Sequence, residues 1–177
     1  MTNTIEVNEA VMHIPEGVCK VTGIIERDLS SLGTRQYYIL VPVYNTGTKI
    51  YIPTDNGPAK MRELLTRDEV LELIDSIPEC ESVWIENDKE RMAAFSSIVS
   101  RCDHHEMLCL IRTLRDKHAE KLRTGKKFHS ADERIFKEAE RILFGEFGYV
   151  LNLKPSEVGP FIAERIKDRD PELQMTS

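Results

Sequence analysis

The sequence predicts an α+β chain: a small, strongly curved β-sheet or SH3-like barrel, followed by an all-α bundle. Three observations predict it. Short segments rich in Val, Ile and Tyr, punctuated by turn residues, fill residues 7–53. After Met61 they give way to capped stretches with apolar residues at helical spacing. No internal repeat or low-complexity tract interrupts either half, so the 177 residues divide into two domains, 1–60 and 61–177.

In the first half, strands are expected at residues 10–14, 18–25, 36–43 and 49–52. Pro15-Glu16-Gly17, residues 30–33 and Asn45-Thr46-Gly47 supply the turns between them. So few residues cannot build a two-layer sandwich, which leaves a curved sheet or barrel of the kind that binds rather than catalyses. Pro53 ends the last strand, and Thr54-Asp55-Asn56-Gly57-Pro58 turns the chain toward the second half.

The helices follow in order. The first opens at Thr66, with Asp68 and Glu69 in its first turn, and Pro78 closes it. A second runs over about residues 87–100, with a stripe of Met92, Phe95, Ile98 and Val99. Asp103 caps a longer one whose Met107, Leu110, Ile111, Leu114, His118 and Leu122 fall on one side, and Gly125 ends it. Ser130 and Glu133 have the spacing of a capping box for the next, which buries Ile135, Phe136, Ala139, Ile142, Leu143 and Phe147. A last short helix follows Pro155 and Ser156, and a loose tail is expected from Asp168.

Composition excludes several classes. A chain with 41% hydrophobic and 31% charged residues is globular. No apolar run approaches the roughly 20 residues of a membrane span, and the start MTNTIEVNEA has neither a basic region nor an apolar signal core, so a cytoplasmic protein is expected. Cys19, Cys80, Cys102 and Cys109 lie far apart without a CxxC pair, which argues for reduced, buried thiols and against a zinc site. His104-His105 beside Asp103 is the nearest approach to a metal site, but adjacent helical side chains point about 100° apart and do not easily share one ion. None of the phosphate-loop, dinucleotide, nucleophile-elbow or HExxH motifs occurs. No catalysis, cofactor or metal is expected; an enzyme using His104 or His105 is the distant alternative.

Charge is segregated. The net charge is -6, yet residues 101–127 hold eight basic side chains (Arg101, Arg112, Arg115, Lys117, Lys121, Arg123, Lys126 and Lys127) against four acidic ones. A solvated helix with cations near its C-terminus accounts for this run as well as a local phosphate-binding face does. The second reading gains from Lys126 and Lys127 in the following turn and from Arg134 in the next first turn. The only tryptophan, Trp84, stands before a helix and is followed by Glu86, Asn87, Asp88, Lys89 and Glu90. It fits a core plug or an exposed aromatic wedge, and the residues alone favour the plug.

The segments GVCKVTGI from Gly17, RQYYILVPV from Arg35, KIYIPTDN from Lys49, MRELLTRDEVLELIDSIP from Met61, Trp84 with Lys89, and ADERIFKEAERILFGEF from Ala131 occur in an order and spacing that resemble the CarD/CdnL family of bacterial RNA polymerase-binding regulators. The Tyr-Tyr-x-Leu-x-Pro and Asp-Glu-Arg segments are similar to the versions found in Firmicutes. The resemblance implies an N-terminal Tudor-like domain, similar to that of the transcription-repair coupling factor, which docks on the polymerase β subunit, here through Arg27 and Lys49, Ile50, Tyr51, Ile52 and Pro53. It also implies a helical domain on promoter DNA, with Trp84 as a minor-groove wedge at the upstream edge of the melted region, supported by Lys89, Arg115, Lys126, Lys127 and Arg134. On this reading the protein is a monomer that stabilises the open promoter complex and binds DNA weakly by itself. The alternative is a polymerase-binding adaptor without DNA contact. Two departures from the family pattern are Glu86 and Asn87 after the tryptophan, where many relatives carry basic residues, and Tyr51 at a second basic position.

Overall fold

The computed structural model describes residues 5–14, 16–28 and 33–169. The turns expected at Pro15 and Ser30 lie outside the described residues, as does the tail expected from Asp168 except for Asp168 and Arg169, which continue the last helix. The chain divides into two compact units, Met1–Leu65 and Thr66–Ser177.

The first unit is a five-stranded antiparallel sheet of β1 (Ala10–His13), β2 (Gly17–Asp28), β3 (Thr34–Pro42), β4 (Ile50–Pro53) and β5 (Met61–Glu63), in the order β4-β3-β2-β1-β5. The fifth strand is not among the four that the sequence pattern places. Three residues give too short a pattern, and β5 forms because it completes β1's free side, pairing Met61 with His13 and Glu63 with Val11. A short helix, α1 (Gly57–Lys60), leads into it. Gly17 opens β2 at φ +93, a left-handed conformation that a side chain would strain. A register shift between Val21 and Gly23 bends the long β2 across its partner β3.

Alternation along the strands gives the sheet two apolar faces. Val11, Cys19, Val21, Tyr38, Leu40, Ile52 and Met61 form the buried core on one side. His13 shares that side, buried, with its Nδ1 unpartnered. Register places Arg27, Ile25, Tyr37, Ile39, Tyr51 and Pro53 on the other side.

The second unit is helical: α2 (Arg67–Asp75), α3 (Asp88–Arg101), α4 (His104–Arg123), α5 (Ser130–Leu151) and α6 (Pro155–Arg169). Thr66 and Glu69 cap α2 reciprocally, each side chain bonding the other's backbone N–H. Asn87 and Asp103 cap α3 and α4 through backbone N–H groups of the first turn. The cap of α5 is His129, whose Nδ1 accepts from Ala131 N; Ser130 is already helical, so the expected Ser130–Glu133 box does not form. Gly125 at φ +66 ends α4, with Lys126 N bonded to Lys121 O. Between α5 and α6 the turn presses Gly148 so closely that a Cβ there would lie 2.9 Å from Leu153 O.

Two expected faces change in part. On α3 Phe95 and Ile98 are buried as expected and Arg91 joins them, while Met92 and Val99 are half-buried. On α4 burial ends at Leu114, and Leu122 is 67% exposed. On α5 the expected apolar residues are buried except Phe136, which is half-buried, while Asp132 and Glu146 join them. Glu146 is reached by His104 Nε2 at 3.0 Å. All four cysteines are buried and free of disulfides. Among the described residues, no helix is long and apolar enough to cross a membrane.

Candidate functional site

Trp84 sits in the segment between the turn Ile77–Glu79 and α3, anchored at Val83, whose N–H donates to Thr113 Oγ1 on α4 at 3.1 Å. The indole is half-buried, neither the core plug nor the free wedge in pure form. Its ring centroid lies 6.3 Å from that of buried Phe95. The Arg91 guanidinium lies 4.3 Å from the ring centroid and the Lys117 ammonium 5.1 Å from it, both within cation–π range. The indole N–H donates to Glu86 Oε1 at 3.0 Å. Glu86 and Asn87 therefore have local work: one satisfies the indole and the other caps α3.

Arg91 organises this corner. Its Nε and Nη2 donate to the two carboxylate oxygens of Asp132 at 3.0 Å each. Nη2 also reaches Asp88 at 2.7 Å, and Nη1 donates to the carbonyls of Ile85 and Glu86. The guanidinium hydrogen bond holds the Asp88 carboxyl below its ordinary range, with smaller pulls from His129 and Lys121. Bonding to Asp132 raises Arg91 further, against the cost of burial. The residue was not singled out from sequence because it reads as one more charge in the polar run after Trp84. Its position four residues before Phe95, on the same helical face, is the signal that could have found it.

The cations expected to accompany Trp84 separate by helix geometry. Lys89 is exposed in the first turn of α3. Lys126 and Lys127 are exposed in the α4–α5 turn, a few residues before Asp132, whose carboxylate accepts from Arg91 near the start of α3. That turn and the Trp84 segment thus share one end of the helical unit. Arg115 does not join them: lying two positions from both Thr113 and Lys117, it turns about 200° away and pairs with Glu140 on α5 at 3.2 Å. Arg134 is exposed on α5 but two positions from Asp132, hence directed away from Arg91. Lys117, absent from the expected set, joins Arg91 against the indole.

In the sheet unit, β4 is an edge strand bonded only to β3 among the described residues. Its Tyr51 is 38% exposed on the second face, and the Arg27 guanidinium lies over that ring, 4.5 Å from the centroid. Lys49 is exposed just before the strand; Ile50 and Pro53 are half-buried, and Ile52 belongs to the core. An unpaired edge beside an apolar face with one fixed cation suits strand addition by another protein.

Residues 5–65, the sheet unit almost to its boundary, match the family model of the CarD-like/TRCF RID domain. The first unit is thus similar to a CarD-like/TRCF RID domain. The RID domain family interacts with the RNA polymerase β subunit, and the match supports an RNA polymerase-interacting role for this unit. The RID domain is a protein-interaction module rather than a catalytic one. No curated protein matches the chain.

Proposed function

We propose that the chain is a transcription regulator that docks on the polymerase β subunit through the β4 edge, Lys49 and the Arg27–Tyr51 pair, and steadies the open promoter complex with its helical unit. The observation that carries the docking half is the RID match over a sheet whose edge strand pairs on one side only among the described residues and is flanked by a solvent-facing cation. In the helical half, Trp84 contacts DNA at the upstream edge of the bubble, with Lys89, Lys126 and Lys127 on phosphates and Arg115 and Arg134 as outlying contacts. Trp84 is suited to this because it is half-buried, with cations against its ring, so an aromatic surface and positive charge occur together. An inserted aromatic offsets lost stacking at a distorted base step, a contribution of a few kcal/mol.

One observation favours a second reading, an adaptor that binds polymerase and leaves DNA alone. Glu86 already occupies the indole N–H, and Glu86 and Asp88 would face phosphates as like charges. Open-complex lifetime against a competitor separates the two. The regulator reading expects Trp84→Ala to shorten the lifetime while polymerase capture persists; an unchanged lifetime in the folded variant selects the adaptor.

A further inference from the structure

We propose that Cys80, His105 and Cys109 form a binding site for a soft divalent cation, Zn2+ by its chemistry, whose fourth position opens to solvent. The thiol Sγ atoms of Cys80 and Cys109 and a ring nitrogen of His105 all lie within 4.8 Å of one another. Cys109 Sγ and His105 Nε2 are 3.7 Å apart. Tetrahedral zinc, with bonds of about 2.3 Å to sulfur and about 2.0–2.1 Å to nitrogen, sets such a pair about 3.6 Å apart. The ligand atoms already stand near the spacing an ion would impose.

The scaffold holds them there without using the ligand atoms. His105 and Cys109 are i and i+4 on α4, stacked one turn apart on one face. Cys80 is brought to them by the turn Ile77–Glu79, closed by Cys80 N donating to Ile77 O. Arg112 then clamps the turn, its Nη1 donating to the carbonyls of Ile77, Pro78 and Cys80 at 2.6, 2.9 and 3.2 Å. Two thiolates and an imidazole select zinc over magnesium or calcium, which prefer oxygen. Both thiols are buried while His105 is exposed, so an ion would be seated from the imidazole side. There Glu79, Glu81, Glu106 and Arg101 line, with His105 and Cys109, a groove of about 580 Å³; Arg101 pairs with Glu106 at 2.6 Å, so Glu79 and Glu81 give a cation a negative approach, and the groove has room for a water as fourth ligand. Coordination converts the two thiols to thiolates and releases their protons to solvent, so the ion with its two thiolates is neutral.

The site rests on the helical unit alone and stands whether or not the polymerase reading does. Its consequence is local: an ion would tie residue 80 to α4 four residues ahead of Trp84, adding to the Val83–Thr113 bond that anchors that segment.

The test is a titration of the reduced, chelator-treated full-length chain with Co2+ as a coloured probe. One equivalent is expected to bind, with thiolate-to-cobalt charge-transfer absorption and the intense visible bands of a tetrahedral site, and Zn2+ should displace the colour. Cys80→Ser and Cys109→Ser should each abolish the charge-transfer band, and His105→Ala should weaken binding at least about tenfold. Zn2+ should raise the melting temperature of the parent chain and not of these variants. His105 is exposed, so its variant keeps the test decisive if a cysteine variant fails to fold. A parent chain without the band at one equivalent overturns the site. So does a band that survives in both cysteine variants, and so does a Cys80–Cys109 disulfide that forms in preference to the metal complex.

Discussion

Arg91, with 4% of its side chain exposed, is tolerated where it lies because its donors meet Asp132, Asp88 and two carbonyls. Removing it strands the Asp132 carboxylate, itself 2% exposed, in the interior. Arg91→Ala is therefore expected to destabilise the helical unit by about 3–5 kcal/mol, and Arg91→Met with Asp132→Leu to recover most of that loss. Urea unfolding of the full chain measures both; an Arg91→Ala loss below about 1 kcal/mol would show the pair to be dispensable. The lone Trp84 reports the same event, since its emission should shift to the red when the guanidinium beside the ring is gone. His13 gives a second prediction at this scale. Burial lowers its pKa from the ordinary 6.5, with Glu16 opposing and Lys60 adding a smaller pull in the same direction as burial. The unfolded state then binds the proton more readily, so the sheet unit holds its full stability above about pH 6.5 and loses it as the pH falls below. His13→Phe removes the titrating group and should flatten stability against pH from about pH 8 to about pH 5; an equally steep profile in that variant would assign the dependence to other groups.

At the level of elements, legibility in the sequence followed the length and regularity of the pattern. Four of the five strands and every helix from α2 onward were foreseen within a few residues, because turn chemistry and caps such as Asp103 and Gly125 are local signals. The β5 strand was not foreseen, because its three residues become a strand only through their partner β1. The cap of α5 moved from Ser130 to His129, since an imidazole nitrogen does the same work as a hydroxyl and only geometry shows which is placed for it. In the candidate site, Trp84 was legible as a rare residue at a helix mouth. The Arg91–Asp132 pair was not, being set by a contact between residues 41 apart in sequence. Nor was the meeting of Cys80 with Cys109, which the lack of close spacing argued against. The turn between α5 and α6 supplies a prediction at this scale. Its clash at Gly148 is with backbone, Leu153 O at 2.9 Å and Pro155 N at 3.3 Å, which cannot rotate aside. Although alanine favours helices, Gly148→Ala should cost about 1–3 kcal/mol, read as a lower melting temperature; a stabilised variant would show that the turn opens freely.

Across the whole molecule, a net charge of -6 opposes long-range attraction to duplex DNA, so the proposed DNA contact needs polymerase to hold the helical unit near the promoter. Substituting Lys126 and Lys127 together should reduce the salt dependence of promoter retention in the ternary complex by roughly the two phosphate contacts removed. An unchanged slope would leave these lysines as solvated surface. The division into two units leads to the last expectation, that docking and bubble contact fail separately. Arg27→Glu replaces the cation over Tyr51 on an exposed face, so it should weaken capture by the polymerase β subunit without lowering the melting temperature by more than about 1 kcal/mol of stability would. Trp84→Ala does the reverse. Truncating a fully buried tryptophan costs about 3–5 kcal/mol, and a half-buried ring with cations against it should cost about 2 kcal/mol, so the protein remains folded and polymerase capture persists. Its open complexes, however, should decay faster on an unstable promoter. The double variant should show both losses, additive because the two side chains lie in different units and, among the described residues, share no partner. If Arg27→Glu left capture intact while shortening the open-complex lifetime, the RID face would be acting on DNA rather than on protein, and the assignment of one role to each unit would have to be reversed.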